Sequence, residues 1–278
     1  MDDDKGERLT KFLDLLGLDV EPMGIFYTDE EPADAFTPKP GQTPTREREM
    51  NNEIDWGAIF GEFSCVMGHI WRARRKGKAA YFDAFHFGCP GGAFFLGFLK
   101  PQTEAIIHYV STGVPGRMEG ERYCDSPDRL REIFRHIDPR PAPGRFCVVK
   151  PLSLFGPGRK PELVAFFTRP ESLCGLHQLA AFVTGDPEVV ASPWGAGCAN
   201  LITWPLRYLS QGRKRAVLGG WDPSARKFHK TDELTFSVPY EVFEQMLDRY
   251  GESFLTTKTW GTVRKKIERS RKTWGEQD

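Results

Sequence analysis

Two glycine-rich loops each carry a cysteine and run straight into an apolar segment: HFGCPGGAFFLGF (86–98) and WGAGCANLITWPL (194–206). Each follows a run that reads as a strand, AAYFDAF (79–85) and EVVASP (188–193). Strand, tight loop and helix start in that order belong to an α/β layout, where sites form at the C-terminal ends of strands. A helix start presents free N–H groups and a partial positive charge, so it favours anions. A cysteine held there is expected to have a lowered pKa and thiolate character. Two such thiols, far apart in sequence but alike in context, point to a shared site.

The rest of the chain fits the same layout. Leu9, Phe12, Leu13 and Leu16 fall at helical spacing over 7–17, and Gly17 ends the run. A helix is predicted over 58–75 with Cys65 near its middle, and a basic stretch from Arg72 to Lys78 closes it. Ser126 and Pro127 start a helix over 126–137. Further helices are predicted over 170–184, 199–210, 240–250 and 259–274. Strands are predicted over 20–30, 79–85, 145–155, 162–168, 188–193, 214–222 and 233–239, while 104–110 fits either state. The polar, proline-rich stretch 29–52 reads as a long loop. The expected fold is therefore α/β or α+β, a mixed sheet with flanking helices. The two halves are open to being pseudo-duplicated and to enclosing a pocket, although their identity is too low to establish a repeat. Residues 1–278 read as a single domain, with subdomains 1–138 and 145–250 as the alternative and a basic helix 259–274 at the end.

Charge and composition remove several classes of function. Lys and Arg balance Asp and Glu at 38 each, so no global field draws nucleic acid. No run approaches ~18 apolar residues, which excludes a membrane-spanning helix. The start, MDDDKGERLTKF, lacks the basic and apolar regions of a signal peptide. A cytoplasmic setting is expected, where six cysteines stay reduced and serve as core residues, ligands or catalytic groups.

Cys65, Cys89 and Cys198 are the candidate site, with Gly91 and Gly197 supplying backbone around it. Thiolates favour iron–sulfur clusters and zinc over hard cations. No C-x-x-C pair and no local ferredoxin run is present, so the ligands would come from dispersed elements. The leading expectation is a 4Fe-4S cluster on these three cysteines, with His86 as one choice of fourth ligand and zinc as the alternative metal. An open iron would act as a Lewis acid, in desulfurase-like chemistry, or the cluster would pass electrons to a redox partner. Two other readings stand beside it. One is a small-molecule or anion pocket without chemistry; the other is a thiol enzyme with Cys89 or Cys198 as nucleophile.

The remaining candidates carry plainer readings. Cys124, Cys147 and Cys174 read as core or incidental thiols. His69, one turn from Cys65, and His177 read as structural histidines. Arg226, Asp232 and Glu233 read as turn or ion-pair residues, with a pocket role for Arg226 as the alternative. Trp260, Val263, Ile267 and Trp274 lie among lysines and arginines, a pattern of membrane or nucleic-acid surfaces and, more commonly, of a helix with one face on its own domain. No metalloprotease spacing, nucleophile elbow, Walker loop or dinucleotide fingerprint occurs.

The segments LGLDVEPMGIFY, FSCVMGHIWRARRKGKAAYFDAFHFGCPGGAFFLGF, WGAGCANLITWPL, GGWDPSAR and DELTFSVPYEVFEQM together resemble domain-of-unknown-function family 169, uncharacterised prokaryotic proteins of the ArCR type. The likeness spans roughly residues 10–250, with Cys-Pro-Gly and DELTFSVP its most specific parts. It implies the fold, a cytoplasmic setting and a cysteine pattern matched at Cys65, Cys89 and Cys198. It implies no substrate. The 29–52 stretch and the basic C-terminal segment look like departures from the family pattern.

Overall fold

A computed structural model describes residues 3–38, 65–98, 104–156 and 158–275. The chain opens with helix α1 (Asp3–Leu16), strands β1 (Met23–Thr28) and β2 (Ala35–Phe36), helix α2 (Val66–Lys76) and strand β3 (Ala79–Phe82). Next come helices α3 (Pro90–Phe95) and α4 (Glu104–Val110), the small hairpin β4 (Gly113–Val114) and β5 (Met118–Glu119), and helix α5 (Pro127–Ile137). Strands β6 (Phe146–Pro151) and β7 (Leu163–Thr168) lead to helix α6 (Pro170–Thr184) and strand β8 (Val190–Ala191). A π-helical segment (Ala199–Thr203) runs directly into α7 (Trp204–Ser210). Strand β9 (Ala216–Gly219), a 3₁₀ segment (Pro223–Phe228), strand β10 (Leu234–Pro239), and helices α8 (Tyr240–Arg249) and α9 (Lys258–Trp274) complete it.

Eight strands form one mixed sheet in the order β2-β3-β6-β1-β7-β10-β9-β8. The expected fold class, α/β with helices flanking a mixed sheet, is what the chain adopts. Period-two side-chain alternation gives the sheet two apolar faces. Met23, Ile25, Cys147, Val149, Ala165 and Phe167 face α2, α3, α5 and the π segment. Phe26, Val148, Val164, Phe166, Phe236 and Val238 face α1, α6 and α8. On this second face the rings of Phe12, Phe166 and Phe243 meet pairwise at 6.0 to 6.4 Å between centroids. Each such pair contributes about 0.5–1.5 kcal/mol beyond its buried area.

The strand order has an internal correspondence. Read outward from the central antiparallel β1/β7 pair, one side runs β1, β6, β3, β2 and the other β7, β10, β9, β8. The registers agree as well. Met23 pairs with Pro151 and Thr28 with Phe146; Leu163 pairs with Pro239 and Thr168 with Leu234. Both edge pairs, β2/β3 and β8/β9, are parallel, and Ala79 and Ala216 hold the same place in them. Helix α2 thus corresponds to the π segment with α7, so Cys65 corresponds to Cys198, and Trp71 to Trp204 six residues further on. Cys89-Pro90 after β3 corresponds to Asp222-Pro223 after β9. The apparent likeness of the two glycine-rich loops is therefore not the one the topology makes: Cys198 matches Cys65, and Cys89 matches a carboxylate.

Most predicted elements fall where the periodicity put them, and 104–110 is a helix. Cys65 is not inside a helix. Its backbone is extended (φ −69°, ψ 140°) and it caps α2, which starts at Val66. Residues 58–64 of the predicted helix, and 39–52 of the predicted loop, lie outside the described residues. Among the described residues no helix is long and apolar enough to cross a membrane.

Candidate functional site

Strands β3 and β9 run in opposite directions, so their C-terminal ends lie at opposite ends of the sheet. The segments that follow them nevertheless contribute to one cavity of about 670 Å³. Cys65 and Met67 enter it from the start of α2, and Cys89, Gly91, Gly92 and Phe95 from α3. Residues 192–198 and Asn200 come from the other half, with Asp222, Ser224 and Lys227 beside them. Ile106, Tyr109, Glu121, Tyr123 and Phe134 complete the wall from α4, the stretch after β5, and α5. All five residues proposed from the sequence, Cys65, Cys89, Cys198, Gly91 and Gly197, line this cavity.

Local chemistry explains each wall. Pro90 at the first position of α3 has no N–H to lose and fixes φ for the helix. The Cys89 Sγ turns back into that turn and accepts the Gly92 N–H at 3.2 Å. Gly92 has no space for a side chain: a Cβ there would stand 2.6 Å from both the Phe87 carbonyl oxygen and Val66 Cγ2. Gly91 has room for one: a Cβ there would make only ordinary contacts, with Cys89 Sγ and Phe95 Cε2 at 3.9 Å. On the opposite wall Asp222 joins two loops. Its Oδ1 accepts from the Ser224 N–H at 2.9 Å, and its Oδ2 from the Gly197 N–H at 2.9 Å. Asn200 Nδ2 donates to the Pro193 carbonyl at 2.8 Å, and Trp204 Nε1 to the Trp194 carbonyl at 2.9 Å. These two bonds fix the 193–197 stretch against the helix that follows it.

That helix is loosened at its start for a traceable reason. Pro205 has no N–H to give the Leu201 carbonyl four residues earlier. The Ser237 hydroxyl on β10 donates to that carbonyl instead, at 2.6 Å. Thr203 Oγ1 donates to the Phe95 carbonyl at 2.7 Å and ties the end of α3 to the same segment. A π-helical turn is a common companion of functional sites, and here it carries Asn200.

The electrostatics differ from expectation. Burial pushes the Cys89 thiol up to about 12, helped by Cys65 and Asp222, and the Gly92 amide opposes this too weakly to reverse it. Burial likewise raises Cys198, with Cys89, Cys65 and Asp222 adding to the rise. Cys65 is also raised by burial, against the amides of Met67 and Gly68. Desolvation therefore outweighs the helix-start effect at all three, and they stand as neutral thiols. Glu121 is pushed up to about 7, first by burial and then by Asp222, with the Tyr109 hydroxyl opposing.

The cluster expectation is overturned. Among the described residues, no group of three or more His, Cys, Asp and Glu side chains is placed so that it could hold a metal ion. The three thiols share a cavity without converging as ligands, and Cys89 is turned into its own helix start. Zinc on these three thiols meets the same obstacle. His86 sits outside the cavity wall with Nδ1 3.0 Å from both oxygens of Asp83. The His69 ring packs edge-on against Phe82, 6.3 Å away.

The other candidates resolve as structure. Cys147 and Cys124 are buried, while Cys174 is exposed on α6. Arg226 donates to the backbone carbonyls of Gly220, Lys230, Thr231 and Glu233, which closes a turn. Glu233 accepts both terminal nitrogens of Arg74, at 2.6 and 3.1 Å, in a buried pair. Asp232 lies 3.3 Å from Arg169 at the surface. Sequence reasoning missed Asn200, Glu121 and Asp222. The repeated Cys-x₅-Trp at 65–71 and 198–204, with Cys-Pro and Asp-Pro behind it, was the signal for Asp222.

No curated protein and no solved structure matches the chain. A family profile, DUF169, described as uncharacterised ArCR, matches residues 11–249. That span takes in every strand of the large sheet and every wall of the cavity, and stops before α9. The chain belongs to the DUF169 family.

Proposed function

We propose that this protein binds a small organic molecule in the cavity between its two halves. The observation that carries the reading is the cavity itself: about 670 Å³, within the usual range for small-molecule sites, walled by aromatic side chains and a few polar groups. Its supports are fixed by hydrogen bonds from both halves, so the space is built into the fold. The residues offered as ligand contacts are Cys65, Cys89, Gly91, Gly197 and Cys198, with Asn200 beside them. The thiols act as neutral, polarisable wall groups; their raised pKa values speak against a thiolate nucleophile. All six cysteines are free, in keeping with a cytoplasmic setting.

Trp194 and Trp221 flank the cavity, so their emission reports occupancy. The test is titration with N-phenyl-1-naphthylamine, a neutral fluorescent aromatic. Saturable quenching of tryptophan emission at one equivalent is expected, together with a rise in Tm as the probe is added. The absence of saturable quenching would remove the reading.

A further inference from the structure

We propose that the cavity selects a protonated amine carried on an apolar body, its N–H meeting Asn200 Oδ1 and its positive charge facing Glu121 and Asp222. This rests on the small-molecule reading above and names the ligand class. Asn200 is 1% exposed and lines the cavity. Its Nδ2 is committed to the Pro193 carbonyl, which leaves Oδ1 as the acceptor, and that atom has no hydrogen-bond partner. A buried acceptor without a donor is costly, and a ligand N–H removes the cost.

The charged groups point the same way. Two carboxylates, Glu121 and Asp222, line the cavity against one cation, Lys227. The three thiols add no positive charge, and the rings of Tyr109, Tyr123, Trp194 and Trp221 offer faces that attract cations. An anion has less to bind. The loop amides that would cradle one are already engaged, Gly92 by Cys89 Sγ and Gly197 by Asp222 Oδ2. The groups facing Glu121 are the Tyr109 and Tyr123 hydroxyls and Asp222, with Lys227 on the same wall. Glu121 is thus charged only above about 7, so amine binding should strengthen as pH rises through neutrality.

The experiment compares 2-naphthylmethylamine, 2-naphthylmethanol and 2-naphthoate by calorimetry and tryptophan quenching at pH 8 and pH 6. At pH 8 the amine, protonated there, should bind at least ~10-fold tighter than the alcohol, and the carboxylate more weakly than both. The amine's advantage over the alcohol should shrink at pH 6 and in Glu121→Gln. Alcohol binding without an amine advantage would overturn the charge selectivity and leave the cavity reading intact. Binding of none of the three would overturn both. The pH comparison uses the unaltered protein, so it stands even if the variant folds poorly.

Discussion

Each cysteine's surroundings set its reactivity, and they rank the six in an order the sequence does not suggest. Cys174 is exposed on α6, whereas Cys89 and Cys198 are held neutral by burial, with Cys65 and Asp222 adding to the rise at both. Iodoacetamide at pH 8 should therefore label Cys174 well before Cys89, Cys147 and Cys198, read by peptide mass spectrometry; labelling of Cys89 as early as Cys174 would contradict the desolvation argument. Glu233 shows the opposite balance. Its burial is outweighed by His229, whose Nδ1 lies 3.3 Å from the carboxylate, and by the hydrogen bonds and charge of Arg74, which hold the carboxyl at about 2. A depressed carboxyl stabilises the fold above its unfolded value near 4.5, and that stability is lost as pH falls toward 2. Glu233→Gln should cost about 3–5 kcal/mol near neutral pH, because Arg74 then stays buried without its counter-charge. The variant should also lose less stability than the natural protein between pH 5 and pH 2.5 in denaturant titrations. Equal losses would show that the pair contributes nothing to acid stability.

The elements owe their limits to local chemistry that a reader of the sequence can partly follow. Ser126, with its hydroxyl accepting the Arg129 N–H, starts α5 as its cap pattern predicts. The start of α2 was not legible: the apolar spacing of 58–75 continues through Cys65, yet the backbone there is extended and only tertiary contacts decide it. The π segment was equally hidden, since Pro205 announces a missing donor but not its replacement, Ser237, 36 residues from the Leu201 carbonyl it serves. Ser237→Ala should leave the Leu201 carbonyl unpaired and cost about 1–2 kcal/mol. In a Pro205→Ala background, where an N–H returns to the helix, the same substitution should cost less. A double-mutant cycle by urea unfolding measures the difference, and equal costs in both backgrounds would contradict the compensation. Helix α9 lies beyond the family match and has no fully buried residue, but its Trp260 donates to the Leu15 carbonyl at 3.1 Å and Arg271 pairs with Glu171 at 3.1 Å. One face of this basic helix thus rests on α1 and α6.

At the scale of the whole molecule, two similar half-sheets meet at β1 and β7, and the elements crossing one face enclose the cavity. Period-two alternation and capping residues made the strands and most helices legible, and two of the three thiols were visible through their glycine-rich settings. Paired halves were expected from the two glycine-rich loops, but the strand order instead sets Cys65 against Cys198 and Pro151 against Pro239, scattered identities with no continuous repeat to read. The metal expectation failed for a related reason: sequence can bring three cysteines to one cavity but cannot set whether their sulfurs converge, and here they do not. Glu121 came from a segment with no distinguishing pattern, and Asn200, two residues after Cys198, had nothing but its neighbour to mark it, so only the fold could bring them in. A ligand-binding role requires that this cavity takes a molecule. Gly91 lines it, has a conformation open to side chains, and a Cβ there would make only ordinary contacts, with Cys89 Sγ and Phe95 Cε2 at 3.9 Å, so Gly91→Leu should occupy the cavity. The decisive measurement is the affinity of N-phenyl-1-naphthylamine for the natural protein and for this variant, with urea unfolding of each alongside. Binding lost at least ~10-fold in a variant of unchanged stability is the predicted result; equal affinity in the two proteins would place the probe elsewhere and contradict the cavity as the binding site.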